Sequence, residues 1–398
     1  MAAIDVAAEE AIAPYGDPGN GSGPLWCYGS STIARDGDRV FVSLPEVGEG
    51  VPPLCNTRWQ LFARDGGDWP RVAVNELFDE REPCPLLRLP GRLLLSVNPS
   101  TGPRGGSSGV RENHWSRPQL LEFDAARPGD PPRSLQPVWD RDYAFTEHSY
   151  RGAAACSRSG EVLLLNVSGR GQAWSLLDAG GDWSRRGLLE FPLRGCYPNV
   201  ALRQRAAWVV AVSDIVEPNA AWRELKRRHT GRDWDYDFRQ LFYSHTPALG
   251  EVPFSPILTF ASRDETAGMV RDELFPEVPM TVALKYARIH DGAVAERRVL
   301  RESVEDRGPR VGWARFHDAG DGRLFVLGHV VDDGGPANFA QQLLPSQEEP
   351  VRLDLRHPLG SFLTASGRLG SEPSTTVDLC GPGPEAGVMR YVQLRIPS

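Results

Sequence analysis

Three stretches of this chain carry side chains that can move protons and hold anions. They are His114 in a long polar loop, Glu147-His148-Ser149-Tyr150-Arg151, and Arg194-Gly195-Cys196-Tyr197. A neutral imidazole titrates near working pH and suits the role of base. A phenol can act as acid, or as base when cations lie beside it, and a guanidinium fork pairs a carboxylate bidentately. Together these types fit β-elimination at a uronate. A cation neutralises the carboxylate, a base takes the adjacent C5 proton, and an acid protonates the departing O4. Arg151 or Arg194, His148 or His114, and Tyr197 or Tyr150 would fill those roles. Each residue alone has a plainer reading: a solvated loop histidine, an aromatic plug for Tyr197, a strand-edge cap for Arg194. Their convergence on one face is what favours chemistry.

Aromatic side chains point the same way. Trp26, Trp115, Trp222, Trp234 and Trp313 are assigned to the loop-bearing face or its rim, where they could stack on sugar rings as substrate-binding residues. Trp59, Trp174 and Trp208 lie within strand-like runs and read as core. His317 reads as buried or near the opposite turn, His329 is a minor candidate near the loop face, and His229 and His245 have no nameable partner. No cofactor or metal is expected. Asp233, Asp235 and Asp237 alternate with aromatics but lack the Gly and Glu positions of an EF-hand loop. Arg104-Gly-Gly-Ser-Ser-Gly likewise lacks the Lys-Ser/Thr and the strand–helix context of a phosphate cradle.

The elements that must position these residues form a repeat. Six times an apolar run breaks and a second run of β-formers follows: Arg39-Val-Phe-Val-Ser, Arg92-Leu-Leu-Leu-Ser-Val, Glu161-Val-Leu-Leu-Leu-Asn-Val, Ala207-Trp-Val-Val-Ala-Val, Met280-Thr-Val-Ala-Leu and Arg323-Leu-Phe-Val-Leu-Gly. Five of the turns read Asp36-Gly37, Pro90-Gly91, Ser159-Gly160, Gln204-Arg205 and Asp321-Gly322, which marks hairpins. One hairpin every ~40–75 residues is the signature of a radial repeat. The fold expected is an all-β, seven-bladed β-propeller, with six blades as the alternative because the fifth is poorly defined.

Blades are read as starting near Tyr28, Glu82, Ser149, Tyr197, Val270, Trp313 and Phe362. A strand near Ala11-Ile-Ala-Pro-Tyr would complete the last one by ring closure, removing exposed edges. Residues 1–398 are expected to form one propeller domain, with almost no helix beyond the N-terminus and a short helix at 219–229. Insertions at 98–116 and 214–239 follow second strands, so they fall on the face where the innermost strands begin. Long loops in a compact domain usually bind or catalyse.

Bulk properties narrow the partners. At 398 residues with 11 Trp, 15 Phe and 9 Tyr the chain can bury a large core, and its net charge of −8 argues against nucleic acid. A local Arg cluster can still hold an acidic substrate. No stretch is long and apolar enough for a membrane helix, so the expected partner is a carbohydrate substrate, without nucleic acid or membrane, bound by a monomer. Cys27, Cys55, Cys84, Cys156, Cys196 and Cys380 show no zinc spacing and read as buried free thiols, with one Cys27–Cys55 bridge conceivable. The first ten residues lack a signal peptide's basic and apolar regions, which fits a cytoplasmic protein or a secreted one with its leader removed.

Two turns carry a resemblance. Arg64-Asp-Gly-Gly-Asp-Trp and Leu177-Asp-Ala-Gly-Gly-Asp-Trp follow outer strands and resemble the Asp-box (BNR repeat, Ser-x-Asp-x-Gly-x-Thr-Trp) of sialidase-like β-propellers. The second keeps Asp178, Gly180 and Trp183 in register; the first has Arg64 where the motif has Asp. In that family the box is a structural turn far from substrate. Cys196-Tyr197-Pro198-Asn199 is similar to the Tyr-Pro that opens an inner strand in seven-bladed polysaccharide lyases, which use His, Tyr and Arg on the top face.

The resemblance implies a carbohydrate-active enzyme on an anionic glycan, foremost a β-eliminating lyase with His148, Tyr197, His114 and Tyr150 as catalytic candidates. A sialidase-type hydrolase is the nearest alternative. It needs three arginines, a Tyr–Glu pair and an Asp; Arg390-Tyr391 keeps it open, while Arg395-Ile-Pro397 lies at the wrong end for that family's early arginine motif. A non-catalytic platform binding glycan or protein on the same face is the third reading.

Overall fold

The computed structural model describes residues 4–27, 30–102, 115–146, 150–213, 240–262, 281–304 and 307–397, with 215–216, 220, 223–224, 227–228 and 236–238 between them. The chain is an all-β propeller. Strand β1 (Asp5–Pro14) opens it. Blade 1 is β2 to β5 (Ile33–Asp36, Arg39–Val47, Thr57–Ala63, Arg71–Val74). Blade 2 is β6 to β9 (Leu86–Leu89, Arg92–Val97, Gln119–Asp124, Arg133–Leu135) and blade 3 is β10 to β13 (Arg151–Cys156, Glu161–Ser168, Gly171–Leu177, Trp183–Glu190).

Blade 4 is built from β14 (Gly195–Arg203), β15 (Ala206–Ser213), β18 (Gln240–Thr246) and β19 (Leu258–Ser262). A small ribbon, β16 (Ile215–Val216) with β17 (Tyr236–Asp237), stands inside its insertion. A two-stranded hairpin follows, β20 (Thr281–His290) with β21 (Ala293–Val304). Blade 5 is β22 to β25 (Arg310–Asp318, Leu324–Asp332, Gly335–Leu344, Val351–Leu353) and blade 6 pairs β26 (Leu363–Thr364), β27 (Thr376–Pro382) and β28 (Val388–Arg395) with β1.

The second strands match the hydrophobic runs read from sequence. β11 is buried along seven of its eight residues because sheets cover both its faces, whereas outer β13 alternates exposed and covered positions. Both central residues of the Gln204-Arg205 turn have positive φ (49° and 69°), the geometry of a tight hairpin between right-twisted strands. The core lies in the seams between blades. Leu86, Leu93 and Leu95 pack against Phe41, Trp59 and Leu61; Leu163 and Leu165 pack against Val200, Val209 and Phe242.

Among the described residues six four-stranded sheets form, the six-blade count of the two expected. Where a fifth of seven blades would stand, the described residues show one hairpin, Thr281–Val304, and the next strand, β22, opens the following blade. The segment holding the expected start at Val270 lies outside the described residues, as do Tyr28 and Ser149. The N-terminus is a strand rather than a helix, and helical residues occur only at Ala220, Arg223, Glu224, Arg227 and Arg228 among those described. No helix among the described residues is long and apolar enough to cross a membrane. None of the six cysteines is in a disulfide, so Cys27 and Cys55 form no bridge.

Ring closure is as the sequence anticipated: β1 adds antiparallel to β28 as the outermost strand of blade 6. Glu10 on β1 accepts Arg64 Nη2 at 2.6 Å and Trp69 Nε1 at 2.9 Å, from the turn between β4 and β5. In the matching turn of blade 3, the Asp178 carboxylate accepts N–H bonds from Gly180 and Asp182.

The segment after β26 crosses to the inner strands of three other blades. Leu369 O accepts Arg88 N–H, Arg368 O accepts Ala155 N–H, and Ser371 Oγ accepts Arg35 N–H, so one strap ties the inner strands of blades 2, 3 and 1. Gly370 has φ +91°, and a Cβ there would stand 1.7 Å from Arg88 O. Gly370→Ala is therefore expected to cost about 2 kcal/mol, read as a lower urea midpoint. An unchanged midpoint would show that the strap gives way freely.

Candidate functional site

Tyr197 is set by local backbone. It lies on β14 at a bulge between Cys196 and Asn199, and its φ of 47° is uncommon for a bulky residue. Such strain persists only where surroundings hold it, which here they do. Its ring meets Tyr150 edge-on at 4.7 Å and Trp26 edge-on at 6.3 Å, with Phe238 at 5.9 Å. The Arg194 guanidinium lies 4.9 Å over the Tyr150 ring. Edge-to-face pairs and cation–π contacts are each favourable by roughly 0.5–1.5 kcal/mol, so the cluster is a packed unit.

Burial pushes the Tyr197 phenol well above the usual tyrosine range, and neighbouring Tyr150 and Glu82 and a hydrogen bond to Tyr150 push it the same way. The phenol therefore stays protonated at ordinary pH. That is the state a proton donor needs.

Beneath this cluster lies a charged layer. The Cys27 thiol is pushed up to about 12 by burial, against the pull of Arg151 and with Glu82 adding to the rise; Arg315 also faces it. Arg368, carried on the strap, is lowered to about 10 by burial and by the like charge of Arg315. Arg315 stacks at 4.3 Å on Trp313. Arg151, Arg315 and Arg368 thus approach Cys27 from blades 3, 5 and 6.

The sequence candidates divide as follows. Tyr197, Tyr150 and Arg194 come together. Arg151 is only 3% exposed and donates from Nη2 to Pro83 O at 2.9 Å and to Cys84 Sγ at 3.8 Å, so it tethers the connector before blade 2 rather than standing open to substrate. Trp115 is 58% exposed on the loop face, bridged to Thr146. Trp313 is half-buried in the seam of blades 5 and 6, its Nε1 bonded to Phe362 O at 2.5 Å, because β22 packs against β26 there. His114, His148, Trp222 and Trp234 lie outside the described residues.

Other readings resolve too. Buried His317 is bonded to Ser374 O at 2.7 Å, and burial lowers its pKa. Tyr391 is fully buried and donates to Asp378, and Arg390 pairs with Glu385 beside the β27–β28 turn, so both are taken up in packing of blade 6. Among the described residues no group of three or more His, Cys, Asp or Glu is placed to hold a metal ion. Sequence reasoning missed Glu82, Arg315 and Arg368. Arg315 was findable, since strand alternation puts it on the same face as Trp313.

No protein-family model matches this sequence, and no curated protein matches it. Solved structures do. The polysaccharide lyase Uly1 aligns over 98% of this chain and 93% of its own, at 9% identity and a TM-score of 0.49. The α-L-arabinofuranosidase arb93a from Fusarium graminearum aligns over 98% and 97%, at 11% identity and a TM-score of 0.46. A Trypanosoma rangeli sialidase aligns over 92% of this chain and 54% of its own, at 10% identity and a TM-score of 0.45.

Proposed function

We propose that this propeller is a carbohydrate-active enzyme acting on a carboxylate-bearing glycan, most specifically a lyase that cleaves by β-elimination. The observation that carries this reading is the Tyr150–Tyr197–Arg194 cluster, held on a strained bulge where an inner strand begins. In this reading Arg194 neutralises the substrate carboxylate and His148 takes the C5 proton. Tyr197, kept protonated by its surroundings, gives a proton to the departing O4. Exposed Trp115 offers a sugar a stacking face at the rim.

The test is incubation with a panel of uronate polymers, followed by the ultraviolet absorbance of the 4,5-unsaturated product. A rise with at least one polymer is expected. A flat trace across the panel would count against the lyase. Glycan binding unchanged by Tyr197→Phe and His148→Ala would then favour a non-catalytic platform.

A second reading has its own support. Glu82 lies within electrostatic reach of Tyr197, a Tyr–Glu pairing that a sialidase-type hydrolase would use. Release of free sialic acid from an aryl glycoside would favour it over elimination.

A further inference from the structure

We propose that Glu80 is a positioning residue for this site: its buried carboxyl group joins the base of the loop that begins at Asn98 to the connector that carries Glu82. The activity arm below rests on the function proposed above; the structural arm does not.

The connector Asp79–Cys84 leads from blade 1 into β6 across the loop-bearing face. Glu80 is 2% exposed, and both of its carboxyl oxygens accept the Asn98 N–H, at 2.9 and 3.0 Å. Its backbone exchanges two hydrogen bonds with Thr57 on β4, each of 3.0 Å, and its carbonyl also accepts Thr57 Oγ1 at 2.9 Å. One residue earlier, Asp79 O accepts Ser100 N–H at 2.8 Å. From Asn98 the hold extends along the loop base: Thr101 N–H donates to Trp115 O at 2.7 Å, Arg117 N–H to Pro99 O, and Ser116 N–H to Phe145 O. Two residues beyond Glu80 the same connector brings Glu82 toward Tyr197, and Arg151 ties down Pro83 from blade 3. One carboxyl thus joins the base of that loop to the connector that carries Glu82 toward Tyr197.

The groups facing Glu80 are known. Asp79 and Cys84 flank it on its own connector, Arg151 reaches toward it from β10, and Thr57 on β4 and Asn98 just after β7 are uncharged. Burial dominates and raises its pKa to about 8, with Asp79 adding to the rise and Arg151, the Asn98 N–H and Cys84 opposing it. When the clamp opens to water the value falls back toward the ordinary 4.5. The closed form therefore binds more protons than the open form between these values. Its stability is full at low pH, falls as pH rises from about 4.5 toward about 8, and levels off above.

Amide hydrogen exchange reads this directly. Peptides covering residues 98–102 and 115–117 are followed from about pH 5 to about pH 9, with the intrinsic pH dependence of exchange removed. In the wild-type protein protection is expected to fall by at least ~10-fold across the window, the equivalent of one pKa unit. Glu80→Gln should flatten that course while the same peptides remain protected at low pH, and Glu80→Ala should deprotect them at every pH. A wild-type course that is flat, or one that Glu80→Gln leaves unaltered, overturns the proposal. Where elimination is detected, Glu80→Gln should also relieve a loss of turnover on approaching about pH 8. Absence of any turnover sinks the lyase reading and leaves the exchange result to decide on Glu80.

Discussion

Tyr197→Phe is expected to lower turnover by ~10²-fold or more while leaving the fold intact, the usual worth of a positioned proton-transfer group. Phenylalanine keeps the ring, so the contacts with Tyr150, Trp26 and Phe238 survive. It meets the same φ of 47°, so backbone strain is unchanged. What goes is one hydroxyl and its hydrogen bond to Tyr150, a net loss of about 1 kcal/mol in stability at most. Activity and melting temperature therefore separate the two roles of this residue. A collapse of kcat with a nearly unchanged Tm locates the chemistry at the phenol oxygen. Full activity in Tyr197→Phe would make Tyr197 an aromatic plug, and the elimination mechanism would lose its acid. The same comparison for His148→Ala asks whether the base is the histidine two residues before Tyr150.

Much of this architecture could be read from local patterns. The Asp36-Gly37, Pro90-Gly91, Ser159-Gly160 and Asp321-Gly322 turns each place a positive-φ glycine between two strands, a constraint visible in the residues themselves. Tyr197 was findable because it opens an inner strand on the loop face, and Tyr150 because it precedes another. The blade count was harder. Thr281–Val304 carries the alternation of a half-covered hairpin, and alternation does not say whether further strands will add to it. The charged layer was out of reach for a different reason. Arg368 reaches the site only because its strap bonds to Arg88 and Ala155, across more than half of the chain, and no local rule links those positions. Arg151 misled in the opposite sense: its residue type suits a carboxylate, but only the packing of Pro83 and Cys84 against it reveals a tether.

Asp378→Ala is expected to destabilise the protein by about 3–5 kcal/mol, the cost of breaking a buried ion pair from one side. Arg35 on β2 grips Asp378 on β27 with two bonds, of 2.6 and 2.7 Å, and the Tyr391 hydroxyl donates to the same carboxylate at 2.6 Å. The Asp378 side chain is 2% exposed and that of Arg35 only 15%, so water cannot readily replace the lost partner. Alanine would leave a largely buried guanidinium and a buried phenol without their acceptor, in the seam that joins the first blade to the last. That seam is where the ring closes, so its loss should weaken the whole propeller and not only one sheet. Equilibrium urea unfolding measures the change. Glu10→Gln provides the internal comparison, because Arg64 and Glu10 lie nearer the surface, at 25% and 14% exposure, and glutamine keeps an acceptor for Arg64 and Trp69, so its loss should be smaller. A smaller loss for Asp378→Ala than for Glu10→Gln would mean that the outermost strand, not the inner ion pair, holds the ring shut.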